Sequence, residues 1–241
     1  LTDLPLASCA LYKEWRSNIP DAQLALIFPA YHLNSPSSMF GHTLLRLDPA
    51  NLEVSSEWLS IAINFGADVK PGYISLFYAF NGLSGGYPGF FIVTPYFKKI
   101  REYNKDENRD IWEYPLNLQP DEIKKLVTHL WELKEIKFDY YFFDENCSYR
   151  LLELLEVARP GIQLTDKFKL TVIPVDTVRV VEDAGLIDSV KYRPSQVTVL
   201  QELLAQIPHQ HYALIERITT NTDETTSAEF LAADEKKKKN I

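Results

Sequence analysis

The chain has 241 residues, which is enough for one large domain or for one domain with additional segments. Hydrophobic residues make up 46% of it and allow a sizeable core, but no run of 18 or more apolar residues predicts a transmembrane helix. The net charge of -8, with the only basic run at 236–239 interpreted as a solvated tail, argues against nucleic acid as a partner, since phosphate binding requires clustered basic side chains.

The first half of the chain predicts one helix followed by a sheet. Apolar residues at helical spacing predict a helix over 4–17, and short apolar runs predict strands over 24–28 and 43–47. A segment over 54–65 is expected to return as the partner strand of a hairpin. An aromatic helix over 71–80 is expected next, and the glycine-rich stretch 81–86 predicts a flexible loop.

The second half adds strands and amphipathic helices. Strands are predicted over 90–94 and 111–116, and helices over 121–133, 148–158, 175–184 and 194–218. Because helices and an antiparallel sheet occupy separate runs, the predicted fold class is α+β, with the sheet packed against helices. We divide the chain into an N-terminal helix (1–20), a central domain with the candidate site (21–190), and a C-terminal helical extension with a polar tail (191–241).

Cys147 is the candidate nucleophile because of its place relative to a predicted helix. Asn146 is a good N-cap residue, and the helical pattern begins directly after it, so the thiol lies at a helix N-terminus. Partial positive charge there stabilises a thiolate, which is the form that attacks acyl groups. The alternative is a buried structural thiol that packs as a small hydrophobe. Cys9 lies in the N-terminal helix and is expected to be inert.

His42 is the candidate base. It follows a turn rich in serine and glycine and begins a predicted strand, which would deliver the imidazole rigidly. A third polar group should orient the ring and select its tautomer. Asn64 is preferred, since its amide oxygen can accept from a ring N–H and asparagine is a poor strand former, and Ser60 is the alternative. A strand-end histidine and a turn-entry asparagine are the structural interpretations that stay open.

Other residues are candidates for contacts with the substrate or with an oxyanion. The backbone N–H groups at the start of the Cys147 helix, including that of Ser148, should point toward the reacting carbonyl. Tyr140 or Tyr141 could add a hydroxyl, and Ser38 lies in the turn before the candidate base. No CxxC motif and no cluster of cysteine and histidine suggests zinc, so neither a metal nor a cofactor is expected.

Two segments carry a family resemblance, namely Ser35-Pro-Ser-Ser-Met-Phe-Gly-His42 and Phe143-Asp-Glu-Asn-Cys-Ser-Tyr-Arg-Leu-Leu152. From about Leu24 to about Gly185, the chain resembles the periplasmic catalytic domain of the bacterial lipoprotein N-acyltransferase Lnb. The order of histidine before cysteine also resembles circularly permuted papain-like folds, including permuted NlpC/P60 proteins and the lecithin:retinol acyltransferase group. The second histidine that the latter group places on the following strand is absent, so the third position stays open.

The resemblance implies a permuted papain-like (NlpC/P60-like) fold, a thioester intermediate and a membrane-associated location in the periplasm or cell envelope. The leading hypothesis is a thiol acyltransferase in which Cys147 attacks a phospholipid ester and the acyl group passes to an amine such as a lipoprotein N-terminus. A second hypothesis is a Cys-His hydrolase, either an amidase or peptidase of cell-wall peptides or a lipase. A third is a non-catalytic module that binds lipid or a partner through the aromatic segment 73–91.

Overall fold

The structure is a computed structural model that describes residues 9–30, 41–50, 56–68, 76–169, 171–208 and 211–220. The chain divides into two compact units, Leu1–Arg193 and Pro194–Ile241. The first unit contains the whole sheet of the described chain. The second contains two helices.

A single antiparallel sheet organises the first unit. Its strands are β1 (Gln23–Pro29), β2 (Leu44–Asp48), β3 (Ile61–Ala67), β4 (Tyr87–Pro95), β5 (Ile111–Leu116), β6 (Phe138–Tyr140) and β7 (Lys191–Arg193). Their spatial order is β6-β4-β3-β2-β1-β5-β7, and every neighbouring pair is antiparallel. The predicted α+β class with an antiparallel sheet is therefore confirmed. The sheet also includes the first three residues of the segment 191–241.

Helices lie before, between and after the strands. They are α1 (Ala10–Ser17), α2 (Leu76–Ser84), α3 (Tyr96–Ile100), α4 (Pro120–Leu133), α5 (Cys147–Ala158), α6 (Pro174–Asp183), α7 (Gln196–Ala205) and α8 (Tyr212–Thr220). A π-helical turn, Arg101–Asp106, continues α3, and short 3-10 helices occupy Ser56–Leu59 and Thr165–Lys167. The predicted residues 4–8 of the first helix and 71–75 of the aromatic helix lie outside the described residues.

The main core lies between one face of the sheet and helices α4, α5 and α6. Leu26, Leu45 and Ile63 project from the central strands, and Leu126 and Leu152 meet them from the helices, all fully buried. Burial of each such side chain stabilises the fold by about 1.5–3 kcal/mol relative to exposure. Since α5 begins with Cys147, this packing holds the candidate nucleophile against the strands that carry the other candidate residues.

The opposite face of the sheet is covered by α3 and the π-helical turn and contains buried charge. Strand alternation turns Arg46 and Asp48 to this face, where Tyr96 packs above them. Arg46 pairs with Asp48 at 2.8 Å and with Glu113 at 2.6 Å, and all three are almost fully buried. Ser60 donates to Asp48 at 2.6 Å. We call Arg46, Asp48, Ser60 and Glu113 the charge cluster.

Three elements predicted from the sequence are wrong. The segment 54–65 is not one strand, since Ser56–Leu59 is a 3-10 helix and β3 begins at Ile61. The predicted loop 81–86 is largely the end of α2, which is held where the Phe142 N–H donates to the Gly82 carbonyl at 2.8 Å. The helix predicted over 194–218 is two helices, because Pro208 cannot continue α7.

Candidate functional site

The thiol of Cys147 lies at the first residue of α5, where Asn146 forms the N-cap. The Asn146 Oδ1 accepts from the N–H groups of Ser148 at 2.9 Å and Tyr149 at 3.3 Å. Its Nδ2 donates to the carbonyl of Val172 at 2.7 Å, so the cap itself is held in place. Cys147 is 3% exposed and is a free thiol, as is the exposed Cys9. The N-cap predicted from the sequence is confirmed.

His42 precedes β2 and is half-buried. Gly41 before it has a φ of 91° and lies so close to Phe28 that a Cβ would be 2.8 Å from the ring, so only glycine permits this approach. The His42 Nε2 is 2.6 Å from the Asn64 Oδ1. Because that oxygen can only accept, Nε2 carries the proton, and Nδ1 is the ring nitrogen left to interact with the Cys147 thiol, which is close enough for each group to shift the pKa of the other.

The thiol and the imidazole shift each other's protonation. Burial alone raises the pKa of Cys147, but the charge and hydrogen bond of His42, with smaller contributions from the Thr43 backbone and the Ser148 hydroxyl, lower it to about 7. Burial alone lowers the pKa of His42, but Cys147 and Asn64 outweigh that effect and raise it. The thiol pKa therefore lies close to neutral pH, where a thiolate can form beside His42.

The site is also tied together across the fold. The Thr43 hydroxyl on the β2 side and the Ser148 hydroxyl on α5 are 2.9 Å apart and fully buried. The Ser148 Oγ is 3.9 Å from the Cys147 Sγ. The bond between Thr43 and Ser148 links the segment that carries His42 directly to the helix that carries the thiol.

Comparison with known proteins places the chain in a family. Residues 11–184, well over half of the chain, match the family model described as the Lnb N-terminal periplasmic domain. The chain belongs to this family. The resemblance drawn from the two sequence segments is therefore confirmed, and it relates the chain to a protein of the periplasm and cell envelope. No curated protein and no solved structure matches the chain significantly.

The Lnb-family domain brings Asn64, and not Ser60, to the imidazole. Ser60 is fully buried in the charge cluster, where its hydroxyl is committed to Asp48. Both residues lie on the same face of the sheet, but each meets a different end of β2. The pairing of β3 with β2 therefore determines that Asn64, rather than Ser60, lies next to the His42 ring.

The remaining sequence candidates occupy varied positions. Ser148 lies beside the thiol, as described above. Tyr140 lies in β6 and stacks on Phe65 in the core, with ring centroids 5.7 Å apart. The ring of Tyr141 lies over Gly85, where a Cβ would be 2.4 Å from its Cζ. Ser38 lies outside the described residues.

Two site neighbours were missed by sequence reasoning. The ring of Tyr103, on the π-helical turn, packs against His42 with centroids 6.2 Å apart. The guanidinium of Arg109 lies 4.9 Å from the centroid of the same tyrosine ring, and it donates to the carbonyls of Pro29 and Ala30. No local pattern marks either residue, because both reach the site through the packing of the π-helical turn on the sheet.

In the part of the chain that the structure describes, no helix is both long and apolar enough to cross a membrane. Within the same residues, no group of three or more histidine, cysteine, aspartate or glutamate side chains could hold a metal ion.

Proposed function

We propose that this Lnb-family domain is a thiol acyltransferase of the cell envelope. In this proposal, Cys147 takes an acyl group from a phospholipid ester and passes it to an amine such as a lipoprotein N-terminus. The observation that carries the proposal is the arrangement of a thiol at a helix N-terminus, a neighbouring histidine that lowers the pKa of this thiol, and Asn64 at 2.6 Å from the Nε2 of that histidine. The same three roles serve acyl transfer in proteins with a Cys-His-Asn site.

The first half-reaction forms the thioester. The Cys147 thiolate attacks the ester carbonyl, and the C–O bond of the resulting tetrahedral intermediate breaks. The His42 imidazolium gives its Nδ1 proton to the departing alcohol oxygen, so lysophospholipid leaves neutral at that oxygen. Asn64 keeps the ring in the orientation that this transfer requires, because its oxygen accepts from Nε2 throughout.

The oxyanion of the intermediate requires a hydrogen-bond donor near the thiol. The N–H groups of Ser148 and Tyr149 are already bonded to the Asn146 side chain. The backbone N–H of Cys147 is not engaged by this cap and lies at the positive end of the α5 dipole. We therefore assign the Cys147 N–H as the oxyanion donor, which refines the sequence-based expectation for Ser148.

The second half-reaction consumes the thioester. A neutral amine attacks the thioester carbonyl, the C–S bond breaks, and His42 accepts the proton that the amine nitrogen loses. The thiolate and imidazolium are thereby restored, and the product is an amide. Attack by water instead of an amine would make the same site a hydrolase, because nothing in the thiol, the base or the asparagine distinguishes the two acceptors.

The order and geometry of these residues also support a permuted papain-like fold. The histidine precedes the cysteine in the chain, the cysteine begins a helix packed on the sheet, and the orienting asparagine lies on the neighbouring strand β3. We propose this fold relationship together with the activity.

The test is mass spectrometry of the intact chain after incubation with phospholipid, followed by addition of a lipopeptide with a free α-amino group. We expect one acyl chain on Cys147, released by hydroxylamine, and then an N-acylated peptide. The adduct should be absent from Cys147→Ala and present on Cys9→Ala. Release of free fatty acid without N-acylated peptide would replace the transferase with a hydrolase. The absence of any adduct, transfer or hydrolysis would contradict a catalytic role for Cys147.

A further inference from the structure

We propose that the outer face of α3 and the π-helical turn is the surface through which this domain meets an anionic phospholipid bilayer. This docking face comprises Trp58, Leu59, Phe97, Arg101 and Lys105. The inference rests on the proposed function in one respect, because a phospholipid donor is presented by a bilayer.

The apolar part of the docking face is unusually open to solvent. Trp58 is 66% exposed and Leu59 is 67% exposed, although both are large hydrophobic side chains. The ring of Trp58 lies against that of Phe97, with centroids 5.0 Å apart. Aromatic side chains exposed in this way are typical of membrane interfaces, where one edge is apolar and the other is wet.

The cationic part is interleaved with these rings. Four basic and two acidic residues occupy the eleven positions from Tyr96 to Asp106. Lys99 pairs with Glu102 at 2.7 Å, which neutralises one of the acids. Arg101 and Lys105 are exposed, lie about one helical turn apart, and form no ion pair within the described residues.

These side chains surround a shared surface cavity of about 510 Å³. It is lined by Trp58, Phe97, Ile100, Arg101, Lys105, Asp106 and Arg193. Arg101 and Lys105 thus lie beside Asp106 and two aromatic rings, while the charge of Arg193 is already balanced by Glu113 at 3.1 Å. Such a cavity suits a phosphate headgroup, which would take the charge, with its glycerol and upper acyl carbons against the rings.

Charge complementarity favours this face over the exposed apolar side chains of α2. A chain of net charge -8 is repelled by an anionic bilayer unless a local cationic region faces it. Helix α2 also exposes Phe80 and Leu83, at 65% and 58%, but its sequence contains no charged residue. The docking face, in contrast, combines the exposed ring of Trp58 with the cations Arg101 and Lys105.

The docking face is linked to the candidate active site through a single helical segment. The outer side of the π-helical turn carries Arg101 and Lys105, whereas its buried Tyr103 packs against His42. A helix with its side chains is about 10 Å in diameter. A bilayer at the docking face would therefore lie close to the site where its lipid is proposed to react.

The test measures binding of the full chain carrying Cys147→Ser to vesicles, by co-sedimentation and by tryptophan fluorescence. Vesicles of phosphatidylglycerol mixed with phosphatidylcholine are compared with pure phosphatidylcholine. We expect binding to the anionic vesicles, with a blue shift of tryptophan emission that Trp58→Phe removes. The double variant Arg101→Glu/Lys105→Glu should lose affinity for the anionic vesicles by about tenfold or more. Lys124→Glu/Lys125→Glu, the same charge reversal on exposed positions of α4, should bind normally.

Several results would overturn the proposal. Undiminished binding of Arg101→Glu/Lys105→Glu, with its fold verified by circular dichroism, would show that these cations are not used. Binding lost only when lysines 236–239 are replaced by glutamine, or only in Phe80→Ala/Leu83→Ala, would assign the contact to the tail or to α2. The absence of binding to anionic vesicles would reject a bilayer as partner. Because Cys147→Ser cannot form a thioester, these outcomes are independent of the acyl-transfer test.

Discussion

Two polar clusters lie at opposite ends of the paired strands β2 and β3. At one end, His42 before β2 meets Asn64 on β3, and Cys147 joins them from α5. At the other end, Asp48 on β2 meets Ser60 before β3, in the charge cluster. Both clusters are buried or nearly so, yet their side chains are partnered very differently.

Each acid of the charge cluster has a cation as partner. Asp48 accepts from Arg46 and Ser60, and Glu113 accepts from Arg46, Tyr96 and Arg193. Burial alone would raise the pKa of Glu113, but the charge and hydrogen bonds of Arg46 outweigh it and lower the pKa. Glu113 is therefore held in its ionised form, and the cluster acts as a structural link between strands.

At the other end, the protonation states of Cys147 and His42 depend on each other. The only charge partner that strongly lowers the pKa of Cys147 is a histidine, whose own charge depends on the thiol. A proton can thus be held by either side at little cost near neutral pH. The comparison teaches that full ionic pairing marks the structural cluster, whereas a mutually dependent pair marks the candidate chemistry.

The largest expected effect separates chemistry from fold at the site end. Cys147→Ala should reduce N-acylation of a lipopeptide by about 10⁴-fold or more, because no other group can form the thioester. Its melting temperature should fall by only a few degrees, since the side chain loses a single buried sulfur atom. The measurement is product formation by mass spectrometry, with Cys9→Ala as the matched control. Acylation within tenfold of the wild-type rate would contradict the assignment.

The next effect concerns stability at the opposite end. Arg46→Met should lower the free energy of unfolding by about 3–5 kcal/mol, because it leaves Asp48 and Glu113 buried without their shared cation. Urea unfolding measures this loss. Arg179→Met, which breaks the exposed pair with Asp176, is the matched control and should cost no more than about 1 kcal/mol. Equal effects of the two variants would refute a structural role for the charge cluster.

A crossed pair of variants sharpens the comparison along β3 itself. Asn64→Ala should lower kcat by about 10- to 100-fold, or about 1.4–2.7 kcal/mol in barrier, because the imidazole loses its orienting acceptor. Ser60→Ala should lower the free energy of unfolding by about 1.5–3 kcal/mol through loss of a hydrogen bond to a charged group. It should leave kcat unchanged. The reverse pattern would exchange the roles of the two residues.

The smallest expected effect is a shift in the pH dependence of thiol alkylation. Iodoacetamide should label Cys147 with a midpoint at about pH 7, since the thiolate forms as pH rises through its lowered pKa. In His42→Ala, burial is no longer opposed by an imidazolium, so the midpoint should rise by about one unit or more toward the ordinary value. Labelling of Cys9 in the same sample controls for reagent reactivity. An unchanged midpoint would show that His42 does not tune the thiol.

Some elements of this protein follow from local signals alone. Strand β5 and helix α4 match their predictions within one residue, because a segment rich in β-branched and aromatic residues and a clear helical face decide them. The placement of Cys147 is also local, since an N-cap acts through residues two and three positions ahead. The end of α2, in contrast, depends on a distant contact, since its Gly82 is packed against the ring of Phe142.

The amino-acid sequence by itself determined the family, the α+β class, and the position of a thiol at the start of a helix, because each rests on residues close together in the chain. Only the tertiary structure decided which side chains meet that thiol. Thr43 and Ser148 touch although they are 105 residues apart, and Asn64 rather than Ser60 reaches His42 because of strand register. Register depends on how β2 and β3 pair in the assembled sheet, and Tyr103 reaches the imidazole through a helix that no local pattern predicted.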